Sequence, residues 1–218
     1  MLDNSIEDKL FLDFEELIPG ILSSVPETAI SLGKEEPKFC FEADALKFYL
    51  EDKTFINSLF VHLINNSLDH GLEKAQERVK IGKTSAGHIT ITAMKMDNHI
   101  ELVYFDDGRG LNLDRIYEIG LKKSLIGKHE HLKPADIASL IFKDGFSTKK
   151  ELSRLSGRGI GISAVKKQLE DAGGSISIKI ITISSSNFAE VRFLIKIPIC
   201  DNFQISYDDS KIRQYKAS

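Results

Sequence analysis

The chain has 218 residues, 42% of them hydrophobic, and a formal net charge of −3. That length supports a large domain with a proper core, and a near-neutral balance without a basic run argues against a nucleic-acid partner. No apolar run reaches the roughly 18 residues of a membrane span, the start MLDNSIEDKLF has no signal-peptide pattern, and Cys40 and Cys200 lack metal-ligand spacing. These features read as a cytoplasmic chain from a reducing compartment, with no direct membrane insertion.

Residues 10–33 carry a helical stripe (Leu10, Phe14, Leu17, Ile21, Val25) that Pro19-Gly20 and Pro26 interrupt. Lys38 to Glu42 reads as a short strand. Asp52 to His70 is the strongest helix, with Ile56, Leu59, Phe60, Leu63 and Ile64 on its apolar face, Asp52 as a possible cap and Gly71 as its stop. Glu73 to Lys80 looks like a charged surface helix. Ile89–Met96 and Ile100–Phe105 alternate around Asp97-Asn98, which predicts a hairpin.

From Leu111 to Ser156 the texture changes to short helical pieces (Leu113–Leu121, Pro134–Phe142) among Gly, Lys and Ser. This predicts a long mobile loop region that moves on ligand binding. Ser156 to Gly174 is a glycine-rich turn feeding a helix, a ready-made anion site. It is not a GxxxxGK[ST] loop, and Ile162 stands where a dinucleotide fingerprint needs a third Gly. Ser175–Ile181 and Val191–Ile199 predict two further strands, and the polar tail is expected to fray.

The expected fold class is α+β: a two-layer α/β sandwich whose mixed, mostly antiparallel sheet carries the helices on one face. Residues 1–34 are expected as a helical segment leading into the domain. Residues 35–200 form the domain proper, with its lid at about 111–156, and residues 201–218 form the tail.

Two groups of polar residues stand out. His62, Asn66 and Asp69-His70 follow at i, i+4 and i+7/8, one face of the long helix, and Asn65-Asn66 lies mid-helix although Asn is a poor helix former. An Asn amide oxygen suits Mg²⁺ bound to phosphates, whereas the plainer reading is a solvated face. The strand Ile100–Phe105 runs into Asp106-Asp107-Gly108-Arg109-Gly110, where a strand-end carboxylate can accept a hydrogen bond from a ligand amine; an exposed turn is the plainer reading.

HLINNSLDHG (His62–Gly71), DDGRG (Asp106–Gly110), FKDGFST (Phe142–Thr148) and SGRGIGISAV (Ser156–Val165) together resemble the four nucleotide-binding boxes of the GHKL superfamily, in the same order. Their wording is similar to that of the CheA-type chemotaxis histidine kinases, over roughly residues 35–200. The resemblance implies a Bergerat-type sandwich that binds ATP and Mg²⁺.

Carried over by position, Asn66 would hold Mg²⁺, with His62 beside the metal and γ-phosphate and His70 near the phosphates. Asp106 would accept the adenine amino group, and Gly108 and Gly110 would shape its pocket. Lys123 would contact phosphate from the lid, Phe142 and Phe146 would hinge or pack the lid, and Gly157, Gly159 and Gly161 would wrap the phosphates. Asp69, Ser147, Thr148, Arg158 and Ile160 fall in the same boxes and join the expected ATP-binding set. His62 and Asn66 are the expected catalytic and metal-site residues.

The chain departs from the subfamily's wording at Asn65, at Ile162-Ser163 and at Phe188-Ala189-Glu190-Val191. ATPases of the superfamily keep a Glu four residues before the metal-binding Asn, where this chain has His62. That favours phosphotransfer over hydrolysis. No phospho-acceptor histidine in its usual helical setting is recognisable, and His129-Glu130-His131 reads as a solvated loop.

The expected partner is therefore a separate histidine phosphotransfer domain, with a response regulator downstream and dimerisation through regions outside this chain. The alternatives are a free-standing serine/threonine kinase of the anti-sigma type and a nucleotide-gated module without turnover.

Overall fold

The computed structural model describes residues 11–43, 46–49, 53–128, 130–146, 162–198 and 213–216. Its centre is a mixed sheet. Strands β2 (Lys38–Ala43), β4 (His88–Lys95), β5 (His99–Asp106) and β8 (Phe188–Pro198) run side by side in that order, and β7 (Ser175–Ile183) flanks β8. The two-residue β6 (Leu111–Asn112) also pairs with β8, beyond the end of β5. Among the described strands of this sheet only the β2–β4 pair is parallel. The expected hairpin is β4–β5, in register from Ile89↔Asp106 to Lys95↔Ile100.

Strict alternation decides which face is covered. Ile89, Ile91 and Ala93, then Ile100, Leu102 and Tyr104, then Phe193, Ile195 and Ile197 are buried, while their sequence neighbours point to the other face. Against the buried face pack α1 (Phe14–Leu22), α3 (Lys53–Asn66) and α7 (Ile162–Asp171) through Leu17 and Ile21, Ile56, Phe60 and Leu63, and Val165 and Leu169. A cluster of Phe14, Phe41, Phe48 and Phe60 fills the end of the core nearest α1. This is the two-layer sandwich the pattern predicts.

Several local expectations change. Pro19 does not break α1, because Glu15, whose carbonyl loses its partner, is exposed and can be hydrated while Phe14, Leu17 and Ile21 stay buried. Pro26 sits in the first turn of α2 (Val25–Ser31), the tolerated place. Two strands were not foreseen: β1 (Phe11–Asp13) and β3 (Lys47–Tyr49) form a small antiparallel pair beside the main sheet. Part of the tail is also ordered, since β9 (Arg213–Lys216) extends the sheet antiparallel to β2. An open edge ladder gives even a short polar strand a set of backbone partners. The Asp52 cap lies outside the described residues.

The described part of the expected lid, residues 111–128 and 130–146, folds into the short helical pieces the sequence predicts. Helix α5 (Leu113–Lys122), helix α6 (Pro134–Ser139) and the 3₁₀ turn Leu140–Phe142 enclose a second core of Ile116, Ile126, Leu140 and Phe146. Ala138 and Phe142 instead join the main core, where the Phe142 ring meets Phe193 edge-on.

Candidate nucleotide site

Helix α3 ends in an unusual way. After Asn66 the chain makes a π-helical turn, Ser67–Gly71, closed by Leu72 N–H donating to Ser67 O at 2.7 Å. Such turns inside or at the end of α-helices recur at functional sites. Asn66 is therefore the last α-helical residue, not a mid-helix one, and the wider turn resets the register beyond it. His62 and Asn66 share a face at i, i+4, but the α-helical count does not carry Asp69 and His70 onto that face. His62, Asn66 and Asp69 are half-buried and His70 is exposed.

Two contacts hold the π turn. Lys34 Nζ donates to Leu68 O and, at 2.7 Å, to Leu72 O, so a side chain from before β2 caps orphan carbonyls of the turn. Burial, and then the nearby Arg109 charge, lower the Lys34 pKa below the ordinary lysine value. On the other side Arg109 N–H donates to Gly71 O at 2.9 Å, which presses the Asp106–Gly110 loop against the turn. A Cβ on Gly108 would sit 2.4 Å from the Gly71 carbonyl, so only glycine permits this approach. Gly110, at φ +78°, is just as close to Ala189 O, where a Cβ would lie at 2.2 Å. Both glycines of DDGRG serve backbone packing that places the loop.

The two adjacent aspartates have separate jobs. Asp107 is spent on structure: its carboxylate accepts from His88 N–H at 2.8 Å and from Arg78 at 2.7 Å. Arg78 is fully buried and also pairs with Glu73 at 3.0 Å, which overturns the reading of this short helix, α4 (Ala75–Lys80), as a plain surface helix. Lys83 completes the cluster by donating to Glu73 and to the carbonyls of Asp107 and Gly108.

Asp106 is held differently. Its Oδ2 accepts from Ser67 Oγ at 2.6 Å and its Oδ1 from Gly108 N–H at 3.0 Å, while Tyr104 Oη lies 2.7 Å from Ser67 Oγ. Burial raises the Asp106 pKa above the usual carboxylate value, opposed by the Ser67 and Gly108 hydrogen bonds and assisted by Asp107 and Glu73. Burial likewise pushes the Tyr104 phenol well up. A carboxylate has about four lone-pair sites, so two donors leave Asp106 acceptor capacity for a further N–H.

Of the remaining expected residues, Lys123 donates to Gly145 O and, at 3.1 Å, to Phe146 O, tying α5 to the end of the described lid. Phe146 anchors the lid core. Ser147, Thr148, Gly157, Arg158, Gly159, Ile160 and Gly161 lie outside the described residues. The sequence reading did not single out Lys34, Ser67, Tyr104, Arg78, Lys83 or Asp107. One signal was available: Tyr104 is in phase with Asp106 on β5, so the two share its inward face.

The donor set fits an adenine nucleotide with Mg²⁺. A strand-end carboxylate with spare acceptor capacity suits an exocyclic amine. Among the described residues no group of three or more His, Cys, Asp or Glu side chains could hold a metal ion. A Mg²⁺ here would take most of its ligands from phosphate oxygens, as Mg²⁺ in phosphotransferases does, with Asn66 supplying an amide oxygen.

Comparison with known proteins identifies the family. The family model described as histidine kinase-, DNA gyrase B- and HSP90-like ATPase matches residues 51–199. The chain is 41% identical to the chemotaxis protein CheA of Bacillus subtilis over 133 residues, 59% of this chain and 20% of that protein. It is 34% identical to CheA of Cereibacter sphaeroides over 181 residues, 82% of this chain and 25% of that one. The chain thus spans about a quarter or less of the length of these relatives.

The mycobacterial sensor histidine kinase MprB shares the fold at a TM-score of 0.52 and 15% identity, over 86% of this chain and 95% of that one. No helix among the described residues is long and apolar enough to cross a membrane. With a family model covering residues 51–199, more than half its length and including the π turn and Asp106, this chain belongs to the histidine kinase-, DNA gyrase B- and HSP90-like ATPase family.

Proposed function

We propose that this chain is the ATP-binding catalytic domain of a CheA-like histidine kinase. It transfers the γ-phosphoryl group of ATP to a histidine on a separate phosphotransfer domain, in cytoplasmic chemotaxis-type signalling with a response regulator downstream. The observation that carries the reading is the buried Asp106 carboxylate, pinned by Ser67 and Gly108 beside a π turn that ends the Asn66 helix. Similarity to proteins named CheA supports the kinase class, as does the name of a 37% identical relative from Helicobacter pylori, sensor histidine kinase CheAY.

In this reading Asp106 accepts the adenine amine, Asn66 holds Mg²⁺ on the phosphates, and His62 stands beside the metal and γ-phosphate. His70, Asp69 and the glycine-rich Gly157–Gly161 segment belong to the phosphate end. Lys123, one residue past α5, exchanges lid carbonyls for phosphate oxygens. Bound Mg²⁺ neutralises charge on the phosphates, and the protein's share is positioning. His62, where hydrolases of the superfamily keep a glutamate, leaves no fixed carboxylate base for water.

The test is incubation with γ-labelled ATP, Mg²⁺ and a panel of histidine phosphotransfer domains. Acid-labile label on the acceptor is expected. Acid-stable label on a serine substrate would place the chain with the serine/threonine kinases instead, and tight nucleotide binding with no label on any acceptor would make it a nucleotide-gated module.

A further inference from the structure

A one-way chain of hydroxyls ends on the Asp106 carboxylate. Tyr104 is fully buried, with its ring edge-on to Phe193 at 6.2 Å between centroids. Its Oη is 2.7 Å from Ser67 Oγ, which is 2.6 Å from Asp106 Oδ2. An ionised carboxylate only accepts, so the single Ser67 proton goes to Asp106, and the shared proton between the two hydroxyls must come from Tyr104. Gly108 N–H fixes the other oxygen at 3.0 Å. The carboxylate is therefore pinned at both ends by two different elements, the π turn and the loop after β5.

Pinning matters for the base. A 6-aminopurine presents an N–H donor at its exocyclic position. A 6-oxopurine presents a carbonyl there and moves its N–H to the adjacent ring nitrogen. A carboxylate free to pivot can follow that N–H, whereas one held in place meets a carbonyl oxygen and rejects it. We infer that Tyr104 and Ser67 are specificity-determining positioning residues, which hold Asp106 to accept a 6-aminopurine and exclude 6-oxopurines. The inference rests on the adenine-nucleotide reading proposed above, and it concerns hydroxyls that act through Asp106 without touching the nucleotide.

The experiment is calorimetric titration of ADP and IDP, each with Mg²⁺, into the wild type, Tyr104→Phe, Ser67→Ala and the double variant. Tyr104→Phe keeps the ring and its packing and removes only the donor. It should lower the ADP-to-IDP affinity ratio by about three- to tenfold, the scale of one hydrogen bond's net contribution. Ser67→Ala should lower it at least as much, and the double variant no further than Ser67→Ala, because Tyr104 acts only through Ser67.

Thermal stability without ligand gives a second readout. Ser67→Ala strands a buried Tyr104 hydroxyl, and adding Tyr104→Phe should recover part of the loss. A purely packing role predicts equal weakening of ADP and IDP by Tyr104→Phe, and that result overturns the relay. Should Ser67→Ala not fold, the Tyr104→Phe ratio decides alone. A wild type that binds neither nucleotide overturns the adenine-site reading itself. One that binds ADP, with a ratio unmoved by Tyr104→Phe, overturns only the relay.

Discussion

The guanidinium of Arg78, with no exposed surface, donates to the Asp107 carboxylate at 2.7 Å, and this pair commits Asp107, not its neighbour Asp106, to the fold. Arg78 also holds Glu73, so its removal leaves two acidic groups without their buried partner. Arg78→Ala should lower unfolding free energy by about 3–5 kcal/mol, the usual cost of breaking a buried pair on one side. Urea denaturation measures this. A loss below about 1 kcal/mol would show that the cluster does not hold the loop.

Asp106→Asn separates ligand binding from stability. Adenine-nucleotide affinity should fall by about 1–3 kcal/mol, the worth of a charge-assisted hydrogen bond, as read by calorimetry with ADP. The ligand-free protein should not be destabilised to match. The folded-state pKa of Asp106 lies above its unfolded value, so its contribution to stability is full below the unfolded pKa and is lost as pH rises through the folded one. Above the folded-state pKa the ionised group is thus a burden on the fold.

The same shift predicts a pH dependence of binding. As pH falls through the raised Asp106 pKa, the carboxylate gains a proton and loses acceptor capacity, so ADP affinity should fall above an ordinary aspartate's range. Asp107 and Glu73 raise this pKa, and the Ser67 and Gly108 donors lower it. The component absent from Asp106→Asn is the part owed to Asp106. Identical pH profiles for the two proteins would contradict the assignment.

Much of this was legible in the chain, and the exceptions have physical causes. Period-two alternation located β4, β5 and β8 because one face of each is buried. The structural duty of Asp107 was not legible, because it depends on Arg78, 29 residues away in sequence. The π turn escaped because helix periodicity is local, whereas this turn is held by Lys34 from before β2 and by the loop at Gly108. β1 and β3 are three residues each, too short for alternation to register. The second core of residues 111–146 was missed because it is built between short helical pieces, broken by Gly and Lys, that are too short to show a long period. Gly120, which looks like a helix flaw, packs where a Cβ would lie 3.0 Å from Leu140.

That second core makes a dynamic prediction. Amides in Leu113–Lys122 should exchange slowly even without nucleotide, since Ile116 is buried against Ile126, Leu140 and Phe146. Phe146→Ala removes a core aromatic at a local cost of about 3–5 kcal/mol. It should speed exchange through α5 and α6 while β4 and β5 stay protected. Fast wild-type exchange in α5, or equal acceleration in β4, would contradict a separately cored lid.

The most direct measurement follows inorganic phosphate and acceptor label together, with Mg²⁺-ATP and the wild-type chain, before and after a histidine phosphotransfer domain is added. Very slow phosphate release by the chain alone is expected, because His62 leaves no fixed carboxylate to activate water, followed by acceptor phosphorylation once an imidazole is supplied in line with the γ-phosphate. Rapid phosphate release that no acceptor alters would contradict the kinase assignment and leave an ATPase in its place.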